Sequence, residues 1–241
     1  MIREARLAVG LTLLMSYSGF ADLNLNPEIC SGMNNFPQKE ISKLYGTDRE
    51  AFLKLLAETV KKNNNIGSMI IPFNNGKKTI YRSSLLYNSQ QCLKALTKDK
   101  NVQTLINLYN GDFVNQEQAT YGEENEFAQD GGWTYIKMLD FNDRYKNEVE
   151  FERLQKQVTS IAYMTAYAQG NVLLHCYGGI HRTGIVFGVL QKCIQKVPMA
   201  EVINTYKKHA DWHSKEDPGV YYQINVDFIE KYDCHLLDSL R

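Results

Sequence analysis

Residues 172–184 read Val172-Leu-Leu-His-Cys-Tyr-Gly-Gly-Ile-His-Arg-Thr-Gly184. An apolar run of strand length, Asn171 to His175, stops at Cys176, a glycine-bearing segment carries the chain to Arg182, and Thr183 to Lys196 is apolar enough for a buried helix. Five residues lie between Cys176 and Arg182. Five residues joining a strand to a helix can curl until their N–H groups converge on one centre, an anion-sized nest at a helix N-terminus. Gly178 and Gly179 allow the backbone angles that such a curl needs. Arg182 closes the loop, and its planar fork can grip two oxygens of a tetrahedral oxyanion. Cys176, at the mouth, faces the amide dipoles and the guanidinium, and both favour a thiolate over a thiol.

The flanking chain supplies a fold for this loop. Thr47 and Glu50 form a capping box for a helix with Phe52, Leu55, Leu56 and Val60 at helical spacing, ended by Asn63-Asn-Asn-Ile-Gly67. Ile66–Phe73 and Lys78–Tyr81 read as strands around the turn at Asn74 to Gly76. Ser89 can cap a helix running to Leu96, and Val102–Leu108 is rich in branched residues and reads as a buried strand. Residues 110–132 are polar, Trp133–Leu139 is another strand, and Asp140–Lys146 is a charged loop. Asn147 and Glu150 offer a second capping box, for a helix burying Val149, Leu154, Val158, Ile161 and Thr165 and ending at Gly170. Pro198 suits the first turn of a helix reaching about Lys208, and a last helix falls between Tyr221 and Leu237. Strands alternating with helices predict an α/β domain with a mostly parallel central sheet flanked by helices.

Composition excludes several classes. The 27 basic and 27 acidic residues cancel, against the basic excess that nucleic-acid or membrane-surface binding needs. Fifteen Tyr, ten Phe and two Trp in a chain 22% charged exclude a disordered one. No cysteine pair has the CxxC spacing of a zinc site, so a thiolate zinc site is not expected; no other metal and no cofactor is expected either. Residues 1–21 have a charged start at Arg3 and Arg6, an apolar run from Leu7 to Met15, and small residues at Gly19 and Ala21. That is the pattern of a secretory signal peptide cut after Ala21, although a buried N-terminal helix would share it. The resulting division is a signal peptide over 1–21, an N-terminal extension over 22–65 and the main domain over 66–241. An exported (periplasmic or secreted) protein follows, without stable membrane insertion after cleavage.

The loop is the signature of the protein tyrosine phosphatase superfamily, His-Cys-x5-Arg-Thr/Ser, and the sequence resembles its dual-specificity branch. Ile80-Tyr-Arg-Ser-Ser84, Val102–Leu108 and Val226-Asp-Phe-Ile-Glu-Lys-Tyr-Asp233 resemble flanking elements of the plant-and-fungal atypical dual-specificity phosphatases, which also carry His-Arg-Thr-Gly where His181 to Gly184 stand. The resemblance covers about residues 78–234. It implies a phosphatase in which Cys176 attacks phosphorus, Arg182 and the loop amides hold the equatorial oxygens, and Thr183 donates to the sulfur when it leaves. His175 is expected to orient the loop through a backbone hydrogen bond. The general acid in such enzymes is an Asp some thirty residues upstream, and Asp143 is preferred over Asp140, both in the charged loop.

Substrate selection would fall to Tyr177, Gly178, Gly179, Ile180 and His181 in the loop, with Lys137, Arg144 and Lys146 beside the acid loop. His181 could add positive charge or serve as an internal hydrogen bond. The basic residues could meet the extra phosphates of an inositol polyphosphate or a similar small polyanion. A phosphoprotein substrate, bearing phosphotyrosine or phosphoserine, is the alternative, and an inactive phosphate-binding module the lesser one. Besides Cys176, the cysteines are Cys30, Cys92, Cys193 and Cys234. They allow three disulfide pairings or none, and Cys92, Cys193 or Cys234 is a candidate to form a reversible disulfide with Cys176.

Overall fold

The computed structural model describes residues 29–30, 40, 43–44, 46–74, 76–86, 89–109, 124–126, 128–138, 140–214 and 220–241. The expected signal peptide lies outside the described residues. In chain order the elements are α1 (Arg49–Lys62), β1 (Gly67–Phe73), β2 (Gly76–Ser83), α2 (Gln90–Asp99), β3 (Val102–Asn107), β4 (Thr134–Lys137), α3 (Glu148–Tyr167), β5 (Asn171–His175), α4 (His181–Cys193), α5 (Met199–Ser214), α6 (Val220–Lys231) and a 3-10 turn at Cys234–Leu240.

The sheet has the order β1-β2-β5-β3-β4. β1 and β2 form an antiparallel hairpin, and every other pairing is parallel. The α/β class with a mostly parallel sheet is therefore what the chain forms. Register places Ser83 beside His175, His175 beside Asn107, and Asn107 beside Lys137. The carboxyl ends of four parallel strands thus share one edge, where open α/β sheets bind ligands. β5, in the middle, hands its carboxyl end directly to Cys176.

Both faces of the sheet are covered, so the inner strands are apolar on both sides. Val172 and Leu174 of β5 join the larger core, with Ile80, Ile106, Leu154, Val158, Ile161, Val186 and Phe228, whereas Leu173 joins Tyr81, Cys92, Leu93, Leu96 and Leu105 under α2. This is the two-residue alternation of a strand. Phe52, Leu56 and Val60 of α1 belong to the larger core, so the N-terminal extension is built onto the domain. α4 is buried on nearly every side between the sheet and α5 and α6. Gly184 makes that possible, because a Cβ there would lie 2.5 Å from the Tyr206 ring of α5. Among the described residues, no helix is long and apolar enough to cross a membrane.

Several local expectations are corrected. Asp48, not Thr47, caps α1, its carboxylate accepting from Ala51 N–H, while the Thr47 hydroxyl donates to Lys43 O. Ser89 precedes α2 without capping it, because its Oγ accepts from Asn64 Nδ2 instead. Asn147 caps α3 through Glu150 N–H, but Glu150 Oε2 accepts from Lys146 N–H, so only half the box forms. Val149 is 76% exposed. At ~100° per residue it falls opposite the stripe of Leu154, Val158, Ile161 and Thr165. Pro198 sits one residue before α5, its carbonyl accepting from Val202 N–H, and the helix runs to Ser214. The last helix stops at Lys231 and a 3-10 turn follows.

Cys30 is bonded to Cys92 and Cys193 to Cys234. Cys176 is free and buried. The expected candidates for a disulfide with Cys176 are each committed elsewhere, which rules out that pairing in this state. The Cys193–Cys234 bridge closes 41 residues and ties the end of α4 to the C-terminal turn. Closing a loop of that length removes chain entropy from the unfolded state equivalent to about 4 kcal/mol. Cys234→Ser is therefore expected to lower the urea midpoint under non-reducing conditions by up to that equivalent. An unchanged midpoint would show that the bridge does not constrain the unfolded chain.

Candidate active site

The loop from Cys176 to Arg182 leaves β5 at the carboxyl edge and enters α4 at His181. Its sharpest bend is at Gly179, which has φ +67°, and a Cβ there would sit 2.4 Å from Ser83 O. Both the angle and the contact with β2 demand glycine. Ile180 is buried, and its carbonyl accepts from Gly184 N–H at 2.9 Å, the first turn of α4. Cys176 is 6% exposed.

Arg182 stands in that first turn. Its Nε lies 3.4 Å from Asp143 Oδ1, and its guanidinium stacks over the Tyr109 ring at 5.6 Å. Tyr109 in turn meets Tyr177 at 5.4 Å between centroids, so an aromatic wall stands beside Arg182. Asp143 is buried at 8% exposure. Asp140 is exposed, with its carbonyl accepting from Gln157 Nε2. Of the two candidate carboxylates, the structure brings Asp143 to Arg182 and leaves Asp140 outside. Thr183 Oγ is buried without a hydrogen-bond partner among the described residues.

His175 is fully buried, and its Nε2 lies 3.1 Å from Glu124 Oε1. The expected backbone partner is corrected to this carboxylate. Glu124 accepts from Tyr135 OH (2.8 Å) and Asn107 Nδ2 (3.1 Å), and Asn107 Oδ1 accepts from Tyr109 N–H. Burial opposes a charged Glu124, but His175 and these hydrogen bonds outweigh it and hold the carboxyl below its ordinary value. Sequence reasoning missed Glu124, which lies in the polar stretch 110–132, where no periodicity or spacing points to it.

Of the two roles expected for His181, the structure favours the internal hydrogen bond. Burial, then the charges of Arg182 and Arg144, push its pKa down to about 4. That depression disfavours the charged ring. Asn225 Nδ2 donates to its Nδ1 at 3.0 Å and to Tyr206 OH at 2.8 Å, which fixes the ring against α5 and α6. Arg144 is exposed and Lys137 half-buried. Lys146 is exposed and lines a depression with Tyr145, Asn147, Glu148, Phe151 and Lys231 that contains neither Cys176 nor Arg182. Among the described residues, no group of His, Cys, Asp and Glu is placed to hold a metal ion.

No family model and no curated protein matches the chain. It is similar in structure to the core catalytic domain of the PP-IP phosphatase SIW14 from S. cerevisiae in complex with citrate (19% identity over 64% of this chain and 80% of that one, TM-score 0.47). It is also similar to P. aeruginosa TpbA (17% identity, 71% and 87% covered, TM-score 0.46). A third is kinase associated phosphatase with its catalytic cysteine substituted by serine (13% identity, 73% and 98% covered, TM-score 0.43). Likeness of this degree carries neither activity nor substrate from one protein to another.

The buried histidines set an acid limit on stability. His209 of α5 is depressed well below its ordinary value by burial and then by Arg82 and Lys208, and His181 behaves alike. Between pH 6.5 and about 4 the unfolded chain takes up protons that the folded one refuses, so stability falls as pH falls. The urea midpoint is expected to drop from pH 7 to pH 5, by at most about 1.4 kcal/mol per pH unit for His209. His209→Gln should flatten that slope, and an equal slope would assign the loss to other groups.

Proposed function

We propose that this chain is a cysteine-dependent phosphatase that hydrolyses phosphomonoesters through a phosphocysteine intermediate. The observation that carries the reading is one buried constellation: Cys176 at the carboxyl end of the central strand, Arg182 in the first turn of the following helix, and Asp143 against that arginine. In the first step the Cys176 thiolate attacks phosphorus in line, the P–O bond to the leaving group breaks, and Asp143 gives that oxygen a proton. Arg182 and the loop N–H groups hold the equatorial oxygens as charge develops. In the second step Asp143 takes a proton from water, the water oxygen attacks phosphorus, and the P–S bond breaks with its electron pair returning to sulfur. The unpartnered Thr183 hydroxyl is available to donate to that departing sulfur. His175, held by Glu124, fixes the strand end from which Cys176 projects.

The substrate class that fits best is a small polyanion such as an inositol polyphosphate. Arg144 stands next to Asp143 on the exposed side of the loop, and Lys137 ends the neighbouring strand. Their charge would attract further phosphates. The Tyr109–Tyr177 wall beside Arg182 favours a second reading, an aryl phosphate such as phosphotyrosine in a protein. Phosphate release from a panel of phosphorylated inositols, phosphopeptides and simple aryl phosphates separates them. Preference for the inositols is expected, and kcat/KM higher on phosphotyrosine peptides would reverse the order.

Export remains part of the proposal. It rests on the pattern of residues 1–21 and on two disulfides, which persist in oxidising compartments. The mass of the chain recovered from cell fractions tests it, with cleavage after Ala21 expected and an intact cytosolic chain contradicting it.

Two substitutions test the chemistry. Cys176→Ser is expected to abolish turnover while keeping oxyanion binding, and residual full activity would remove the nucleophile. Asp143→Asn should lower kcat by roughly 10²-fold on alkyl phosphates and much less on p-nitrophenyl phosphate, whose leaving group needs little protonation. It should also remove the alkaline limb of the pH profile. Equal losses on both substrates would place the acid elsewhere.

A further inference from the structure

The N–H groups between Cys176 and Arg182 converge on an anion only if the carbonyls of the same residues turn outward, and buried carbonyls need donors. Leu85 N–H donates to Tyr177 O and Gly184 N–H to Ile180 O, each at 2.9 Å. These are backbone donors, present whatever the side chains. The two glycine carbonyls are different, because side chains satisfy them. Asn65 Nδ2 donates to Gly178 O at 3.0 Å and to Gly179 O at 3.2 Å, and Arg82 Nη2 donates to Gly179 O.

Both side chains are placed at a cost. Asn65 is fully buried at φ +47°, a left-handed angle that glycine would adopt more easily, but glycine brings no donor. Its Nδ2 also reaches His209 O at 3.2 Å, and its Oδ1 accepts from His209 Nδ1 at 2.7 Å, which locks the amide orientation. Arg82 is 1% exposed and its guanidinium lies over the Phe187 ring at 5.1 Å. Burial drives its pKa down to about 10, against the opposing pull of Cys176 and Tyr206. A buried guanidinium with no carboxylate partner among the described residues is a poor way to stabilise a core, and the carbonyl it serves belongs to the loop between Cys176 and Arg182.

Building on the phosphatase reading above, we propose that Asn65 and Arg82 are positioning residues of this site. They hold Gly178 and Gly179 with their carbonyls outward, so that the loop N–H groups are set for a phosphoryl oxyanion before it arrives. Neither touches the substrate. The role ties the end of the N-terminal extension and the end of β2 to the reaction, through contacts 113 residues apart in sequence for Asn65 and 97 for Arg82.

Asn65→Asp separates this role from general packing. Aspartate tolerates the left-handed angle and still accepts from His209 Nδ1, but it cannot donate to the glycine carbonyls. Tungstate, as an inert oxyanion, is titrated calorimetrically into the full chain, with kcat on p-nitrophenyl phosphate and the urea transition measured alongside. Asn65→Asp is expected to weaken tungstate at least 10-fold and lower kcat by a similar factor while unfolding cooperatively. Arg82→Met should do the same, and Arg82→Lys, which keeps a donor, should recover part of both. Folded Asn65→Asp and Arg82→Met proteins within twofold of wild type in both measurements would overturn the proposal. Should Asn65→Asp not fold, the Arg82 pair decides, since equal values for Lys and Met deny a donor role. A wild-type chain that neither binds tungstate nor turns over the ester would sink the phosphatase reading instead.

Discussion

In the proposed site a short length of backbone between Cys176 and Arg182 presents its donors inward, and the hydrogen bonds on its carbonyls are the constraint on which that depends. The carbonyls on the far side of the curl draw donors from Leu85, Gly184, Asn65 and Arg82. Gly179 has no Cβ because β2 presses on it. The strand that feeds the loop is clamped from both sides in the sheet, and its last residue, His175, is held by Glu124. The helix that leaves it is buried almost all round, so the loop is held at both ends by elements packed in the core.

The site is built from two parts of the chain. Cys176, Arg182 and the loop amides come from β5 and α4, whereas Asp143 comes from the irregular segment between β4 and α3. The ion pair of Arg182 with Asp143 joins the two. A carboxylate resting on the guanidinium occupies part of the valence that a phosphoryl group would claim. In the proposed reaction Arg182 would exchange part of that contact for substrate oxygens, leaving Asp143 near the leaving group.

What the sequence disclosed follows contact range. β5 runs from Asn171 to His175 as expected, and the hairpin around Gly76 follows its turn residues, because both signals sit within a few consecutive residues. The spacing of Cys176 and Arg182 is equally local. Asn65, by contrast, meets His209 across 144 residues, and nothing in Asn63-Asn-Asn marks which amide will be buried. Glu124 is one acid among many in a polar stretch until the fold brings it to His175. Thr47 and Asp48 are neighbours that could both cap a helix, and only the observed start at Arg49 selects the second. Val149 does not share the phase of the stripe formed by Leu154, Val158, Ile161 and Thr165.

The bridge from Cys193 to Cys234 fastens the rear of α4, the helix whose front carries the anion loop. Thiol additives that would reduce a sulfenic acid on Cys176 are also the reagents that cut this bridge and its counterpart at Cys30. Activity and integrity therefore pull the preferred potential in opposite directions, and a purification buffer chosen for one works against the other. The workable interval lies where a reductant can reverse a sulfenic acid yet leaves both disulfides closed.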